Sequence, residues 1–242
     1  MELWITQAVV IAALSVCVFI SASKSKDMHM AFIWGFNTLL PVSLVYCYFG
    51  QGDLAHKVLI MSFVIIYLIR MNIVLTVWYE NTAAAKLNEI VPPKQFALLS
   101  IVLVNVFGWI YCLPFYWAAD MQGPFTYLEY TAIIVYIIGS IWHFGSDYQK
   151  RKFKQNPNNK GKIINIGFWR YSRHPNYFGD FLIFVSFGLL AGNWWGVVAP
   201  LANLMQYLSD AIPKSEEMAE KRYGNDWLEY KKNVKCLIPW VY

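Results

Sequence analysis

Six or seven stretches of this 242-residue chain stay apolar for close to twenty residues at a time, roughly 5–22, 30–49, 58–79, 97–118, 127–146, 178–192 and 194–210. A helix of about 20 apolar residues covers the ~30 Å hydrocarbon core of a bilayer, and inside lipid a helix satisfies its own backbone. The expected fold is therefore all-α: a polytopic integral membrane protein of about seven transmembrane helices with a cytoplasmic C-terminal region. Composition agrees, since 57% hydrophobic and 14% charged residues are too apolar a mixture for an ordinary soluble domain. The last two stretches are short, flank Gly192-Asn193 and fit a hairpin or a re-entrant pair. The first has no basic residues ahead of it and no small-residue cleavage pattern before Lys24, so it reads as a retained helix rather than a signal peptide.

Orientation follows from the basic residues. Between Asp147 and Lys162 lie Lys150, Arg151, Lys152, Lys154, Lys160 and Lys162 against one acid, which puts that segment in the cytoplasm. Counting back places Lys24 and Lys26 inside as well, and the loops Gln51-Gly-Asp53 and 119–123 outside, with an outside N-terminus. The net charge of +5 thus belongs to membrane flanks, and nucleic acid is excluded as a partner. Cys17, Cys47, Cys112 and Cys236 are far apart in sequence and indicate neither zinc nor disulfides. Glu80, Lys86 and Glu89 read as a solvated connection, and Asp120 and Glu129 as outer residues without a role.

Polar residues at membrane depth carry the functional signal. Arg70 falls near the middle of the third stretch, one turn from Tyr67. A cation there costs ~2.5–3.5 kcal/mol on insertion scales, so it faces a pocket or a partner. Arg170, Arg173, His174, Asn176, Tyr177 and Asp180 crowd into eleven residues at the mouth of another apolar run. Guanidiniums and an imidazole suit phosphate, while Asn176 and Asp180 suit a ribose or an amide. Asp147, Lys150, Arg151 and Lys154, at i, i+3, i+4 and i+7, share one helix face. Gly224 reads as a helix stop, with Asn225 capping the helix that follows.

The string Arg173-His-Pro-Asn-Tyr-Phe-Gly-Asp180 resembles the C-terminal half of the steroid 5α-reductase superfamily, and more distantly the isoprenylcysteine carboxyl methyltransferases and phospholipid methyltransferases. Ser146-Asp-x-Gln-Lys-x-x-Phe-Lys154 is similar to the reductase branch in particular. There the stretch contacts the phosphates of NADPH, whereas S-adenosylmethionine, the cofactor of the methyltransferase alternative, has no phosphate for six cations to bind. Tyr67-Leu-Ile-Arg70 resembles the Tyr-x-x-Arg of the steroid reductases, whose tyrosine hydroxyl bonds the substrate carbonyl. Where those enzymes carry a Gln-Glu pair, this chain has Trp34-Gly-Phe-Asn37.

The resemblance implies one reductase domain over residues 1–242, with a substrate side at 1–139 and a cofactor half at 140–242. It implies NADPH-dependent reduction of a conjugated carbon–carbon double bond in a lipid or steroid, in the endoplasmic reticulum of a eukaryote or the inner membrane of a bacterium. Tyr67, Arg70 and Asn37 are the expected catalytic residues. The expected cofactor residues are Asp147, Lys150, Arg151, Lys154 and Lys162, then Trp169, Arg173, His174, Asn176, Tyr177 and Asp180, and in the tail Glu216, Glu217, Tyr223 and Tyr230. No metal is expected.

Overall fold

A computed structural model describes residues 1–25, 28–78 and 92–242, without the side chains of Met28, Pro93 and Lys94. Lys26, Glu80, Lys86 and Glu89 lie outside the described residues. The protein is an all-α polytopic membrane protein, with no strand among the described residues. Among the described residues five helical stretches are long and apolar enough to cross a membrane: Glu2–Ser25, His29–Phe49, Leu54–Thr76, Gln95–Ala118 and Tyr127–Gln155. Pro175–Leu190 is apolar but shorter.

The elements are α1 (Glu2–Ser25), α2 (Met28–Asn37), α3 (Leu39–Phe49), α4 (Leu54–Thr76), α5 (Pro93–Asn105), α6 (Leu113–Ala118), α7 (Tyr127–Gln155), α8 (Pro175–Leu190), α9 (Val198–Gln206), α10 (Ile212–Tyr223) and α11 (Asn225–Asn233). Prolines explain their interruptions. Pro41 has no N–H for the carbonyl of Asn37, and the second span breaks into α2 and α3 at that point. Widened π turns at Val106–Tyr111 and Tyr207–Ala211 sit just ahead of Pro114 and Pro213, where an ordinary turn would meet the same missing donor. The seventh apolar stretch is consequently no bounded span, because α9 runs through the second π turn into polar α10.

The chain forms two compact units. The first comprises Met1–Tyr130 and Phe187–Ala199. Here α1 is tied to the fourth span by Gln7 Nε2 donating to Gly108 O (3.0 Å) and Asn105 Nδ2 to Ser15 Oγ (3.2 Å). Its loops clasp each other: Gly52 N donates to Ala119 O, Asp53 N to Met121 O, Gln51 N to Asp120 Oδ1 and Gly123 N to Asp53 Oδ2, all at 2.7–2.9 Å. Thr126 and Glu129 close the start of α7 as a capping box, with Thr126 N 2.7 Å from Glu129 Oε2.

The second unit comprises Thr131–Ser186 and Pro200–Tyr242. In it α7 and α8 cross where only glycine fits: a Cβ on Gly179 would stand 2.2 Å from His143 N, and one on Gly139 2.8 Å from Gly179 O. That contact brings His143 beside Asp180. Tyr177 faces Tyr207 and Asp180 faces Asn203, so α8 and α9 run antiparallel, as a hairpin requires. Gly224, at φ +56°, ends α10 and also stands at the cap position of α11, where Asn225 was expected.

Candidate functional site

In the second unit the polar groups gather where the end of α7, the start of α8 and the tail meet. The turn Gly167–Arg170 is pinned to α7 by Phe168 N donating to Gln149 Oε1 (3.0 Å) and Trp169 Nε1 to Ser146 O (2.9 Å). Lys150 Nζ lies 4.7 Å from the Trp169 ring centre, a cation held on an aromatic face. The Tyr230 hydroxyl donates to Trp169 O, and burial pushes its ionisation upward, opposed by the charge of Arg173. Trp169 and Tyr230 are both buried with their polar atoms bonded within the chain, so they form the floor that carries Lys150.

Ser172, Arg173 and His174 dock on the tail: Arg173 N donates to Lys235 O (2.8 Å), His174 N to Cys236 O (3.1 Å) and Ser172 Oγ to Leu237 O (2.8 Å). This fixes a cluster around Glu216. Arg173 Nε and one of its terminal nitrogens both reach Glu216 Oε1 at 2.8 Å, His174 Nε2 lies 3.4 Å from the same oxygen, and Lys231 Nζ is 3.0 Å from Oε2. Partial burial pushes the Glu216 carboxyl up, but the hydrogen bonds from His174, Arg173 and Lys231 outweigh it and hold the group well below the usual carboxylate range. His174 is shifted down, chiefly by burial, against the pull of Glu216, so it stands as a neutral imidazole. Cys236 Sγ approaches Glu216 Oε1 at 3.7 Å, and the ligand atoms of His174, Glu216 and Cys236 lie within 4.8 Å of one another. That geometry would admit a metal ion, but both Glu216 oxygens already meet side-chain cations, which disfavours adding another.

Asp180 is a second hub. It is 3% exposed, with His143 Nδ1 3.4 Å from Oδ1, and with Asn203 Nδ2 (3.1 Å) and the Tyr207 hydroxyl (2.5 Å) donating to Oδ2. The rings of His174, Tyr177 and Tyr207 stack nearly parallel, at 5.4 and 4.5 Å between centres, joining this hub to the Glu216 cluster. Asn176 is half-buried, and its amide has no hydrogen-bond partner among the described residues. Asp147, Lys150, Arg151 and Lys154 share one face of α7, and Lys162 is exposed beyond it. Glu217 is exposed and paired with Lys221, and Tyr223 packs against Arg222.

In the first unit Tyr67 is buried, edge-on to Phe36 and Phe187 at 6.1 and 6.0 Å. Arg70, 9% exposed, points one nitrogen at Met71 Sδ, 2.7 Å away. Asn37 exchanges hydrogen bonds with Asn72 at 3.0 and 3.1 Å, while each amide also donates to its own helix, to Ile33 O and Leu68 O at 2.8 Å. All four N–H groups are used, so Asn37 has no donor left for a ligand in this arrangement.

His143, Asn203, Tyr207 and Lys231, and Asn72 opposite Asn37, were not among the residues expected from sequence. Each but Lys231 is a polar residue inside an apolar run, the same signal that marked Arg70.

A family model described as a protein of unknown function, DUF1295, matches residues 17–234. A Delta(14)-sterol reductase of Methylotuvimicrobium alcaliphilum is 27% identical over 171 residues, covering 56% of this chain and 39% of the relative. The Delta(14)-sterol reductase erg24 of Schizosaccharomyces pombe is 23% identical over 252 residues, covering 93% of this chain and 58% of its own length. Mouse Delta(14)-sterol reductase TM7SF2 is 24% identical over 199 residues, 68% of this chain and 43% of the relative. The chain thus spans between 39% and 58% of the length of these curated relatives.

Proposed function

The chain belongs to the DUF1295 family and to the steroid 5α-reductase superfamily, and from that premise we propose that it is an NADPH-dependent reductase of a carbon–carbon double bond in a sterol or other lipid. Residues 1–242 act as one reductase domain, with a substrate side at 1–139 and a cofactor half at 140–242 whose polar end and C-terminus are cytoplasmic.

The observation that carries the reading is the set Lys150, Arg151 and Lys154 on one face of α7, with Lys150 over Trp169 and the open amide of Asn176 in the same unit. A basic face of this kind suits the charge of a pyrophosphate and a 2′-phosphate, and the amide suits a ribose or carboxamide. S-adenosylmethionine carries no phosphate to meet the basic stripe. The names of the relatives favour a reductase as well.

Bound NADPH would supply the hydride. Lys150, Arg151, Lys154 and Lys162 bind its phosphates. Asn176 holds the nicotinamide–ribose half, with Asp180 shaping the same wall through His143, Asn203 and Tyr207. Glu216 fixes Arg173 and His174 beneath. With a conjugated enone, Tyr67 donates a hydrogen bond to the carbonyl oxygen and stabilises the enolate as hydride reaches the β-carbon. A proton taken from water at the α-carbon completes the reduction. Arg70 orients Tyr67, since arginine does not give up its proton.

The deciding experiment compares NADPH and S-adenosylmethionine as stabilisers of the purified protein, because a ligand of the native state alone raises its melting temperature. NADPH is expected to raise it and S-adenosylmethionine to leave it unchanged. The reverse result would overturn the reductase reading.

A further inference from the structure

Helix α7 has 29 residues, about 43 Å at 1.5 Å per residue, against a ~30 Å hydrocarbon core. Its charged end, from Asp147 on, therefore extends past the hydrocarbon core into the headgroup region. Along the apolar part Ile134, Ile137, Ile141 and Phe144 are exposed, and the spacing of three and four residues makes them one stripe. From Ile134 to Phe144 is about 15 Å, the depth of one leaflet. The stripe ends on Tyr148, 47% exposed, and one turn further on Lys152 continues it.

Tyr148 and Lys152 wall a cleft of about 270 Å³ closed by Phe153, Asn156, Asn159 and Ile166. No carboxylate lines it. Among the described residues Lys152 has no anionic partner, and its ammonium lies 5.6 Å over the Tyr148 ring, leaning back toward the lipid as helical side chains do. Lys152 is off the face shared by Lys150, Arg151 and Lys154, so the cleft is separate from the residues given to the dinucleotide.

We infer that this is a binding site for one anionic phospholipid, its acyl chain along Ile134, Ile137, Ile141 and Phe144, its glycerol backbone at Tyr148 and its phosphate on Lys152. The charge decides the class: a basic cleft without acids, at headgroup depth and continuous with a lipid-facing stripe, complements an anionic headgroup rather than a zwitterionic one. The inference is independent of the proposed reaction.

The test uses the full chain in phosphatidylcholine nanodiscs with and without phosphatidylglycerol, together with native mass spectrometry of retained lipid. Phosphatidylglycerol is expected to raise the melting temperature of the wild type and to be retained on release into detergent. Lys152→Gln should weaken its retention about fivefold, the scale for one cation at an anionic surface, and Lys152→Glu should abolish it. Lys232→Glu, the same charge change on α11, should keep retention within about twofold. If Lys152→Glu does not fold, Lys152→Gln decides. Wild-type retention in the Lys152 variants would overturn the site, and so would an equal loss in Lys232→Glu. Inorganic phosphate reproducing the thermal gain would overturn it too, as would a stripe that mediates self-association without any response to phosphatidylglycerol.

Discussion

The loop clasp of the first unit and the Glu216 cluster of the second are both made of polar groups near chain turns, yet they are closed in different ways. In the clasp, each carboxylate accepts one backbone N–H: Asp53 from Gly123 and Asp120 from Gln51, while Lys57 Nζ donates to Gly50 O at 2.7 Å. Those contacts only need to join two loops. Around Glu216, a single carboxylate faces Arg173, Lys231 and His174, with the charge of Lys150 felt at His174 and Asn176 left open. The first arrangement spends one backbone donor on each carboxylate, whereas the second draws two side-chain cations and a neutral imidazole onto a single carboxylate.

The largest effect separating the two regions is expected on stability. Glu216→Ala leaves the buried Arg173 without its carboxylate and should cost about 3–5 kcal/mol, the scale for breaking a buried pair from one side. Asp120→Ala in the clasp should cost about 1 kcal/mol. Denaturant unfolding in detergent measures both, and equal costs would erase the distinction. The same carboxyl predicts a pH dependence. Its folded-state value is held below the unfolded value, so the unfolded chain binds more protons as pH drops below the unfolded carboxylate's ~4.3. This contribution is present in full above that pH and is lost as pH falls toward the depressed folded value. Glu216→Gln should flatten that part of the profile.

Tyr67 challenges the rule that a closed-in residue is structural, since it is packed between rings and still assigned to chemistry. Tyr67→Phe preserves the packing and removes the donor, so turnover should drop by ~10²–10³, the scale for one oxyanion donor, with NADPH affinity unchanged. Single-turnover oxidation of bound NADPH by a lipid enone reads this out, and wild-type turnover would return Tyr67 to the core. A smaller effect is expected at Asn176, the open group. Asn176→Ala should weaken NADPH binding by about 1–3 kcal/mol in a titration while unfolding stability stays within ~0.5 kcal/mol of wild type. A loss of stability without a loss of affinity would mean that Asn176 belongs with the clasp.

Much of this was readable in the chain. The apolar runs gave the helical membrane class because hydropathy over twenty residues is a local property. The crowding of Arg173, His174, Asn176 and Asp180 gave a polar centre because such groups are costly beside lipid. The breaks were less legible: Pro41, Pro114 and Pro213 each remove a donor, but whether the helix kinks, widens or stops depends on what packs against it. Least legible were the partners. Asp180 looked like a ligand contact, and the structure surrounds it with His143, Asn203 and Tyr207 from two other helices, a meeting set by the Gly139 and Gly179 crossing rather than by any one segment. Lys231 likewise reads as one of many tail lysines until Glu216 is seen beside it.

The smallest effect tests the closed pair at membrane depth. Asn37 was expected at the substrate, in the place where the steroid reductases carry a Gln-Glu pair, but its hydrogen bonds with Asn72 are reciprocal, and the two residues are equivalent in them. If the pair is a clamp between α2 and α4, Asn37→Leu and Asn72→Leu should each destabilise to a similar extent. The double variant should cost less than their sum, with a coupling of about 0.6 kcal/mol and no more than ~1.7, the range found for interhelical hydrogen bonds in lipid. Both single variants should then change turnover equally and slightly. If Asn37 instead turns its amide to the substrate when one is bound, the symmetry breaks: Asn37→Leu alone should slow turnover toward the Tyr67→Phe level, and Asn72→Leu should not. An unequal pair would move Asn37 from the closed class to the open one, and the region around Phe36, Tyr67 and Asn37 would then be the place to look for the substrate's polar end.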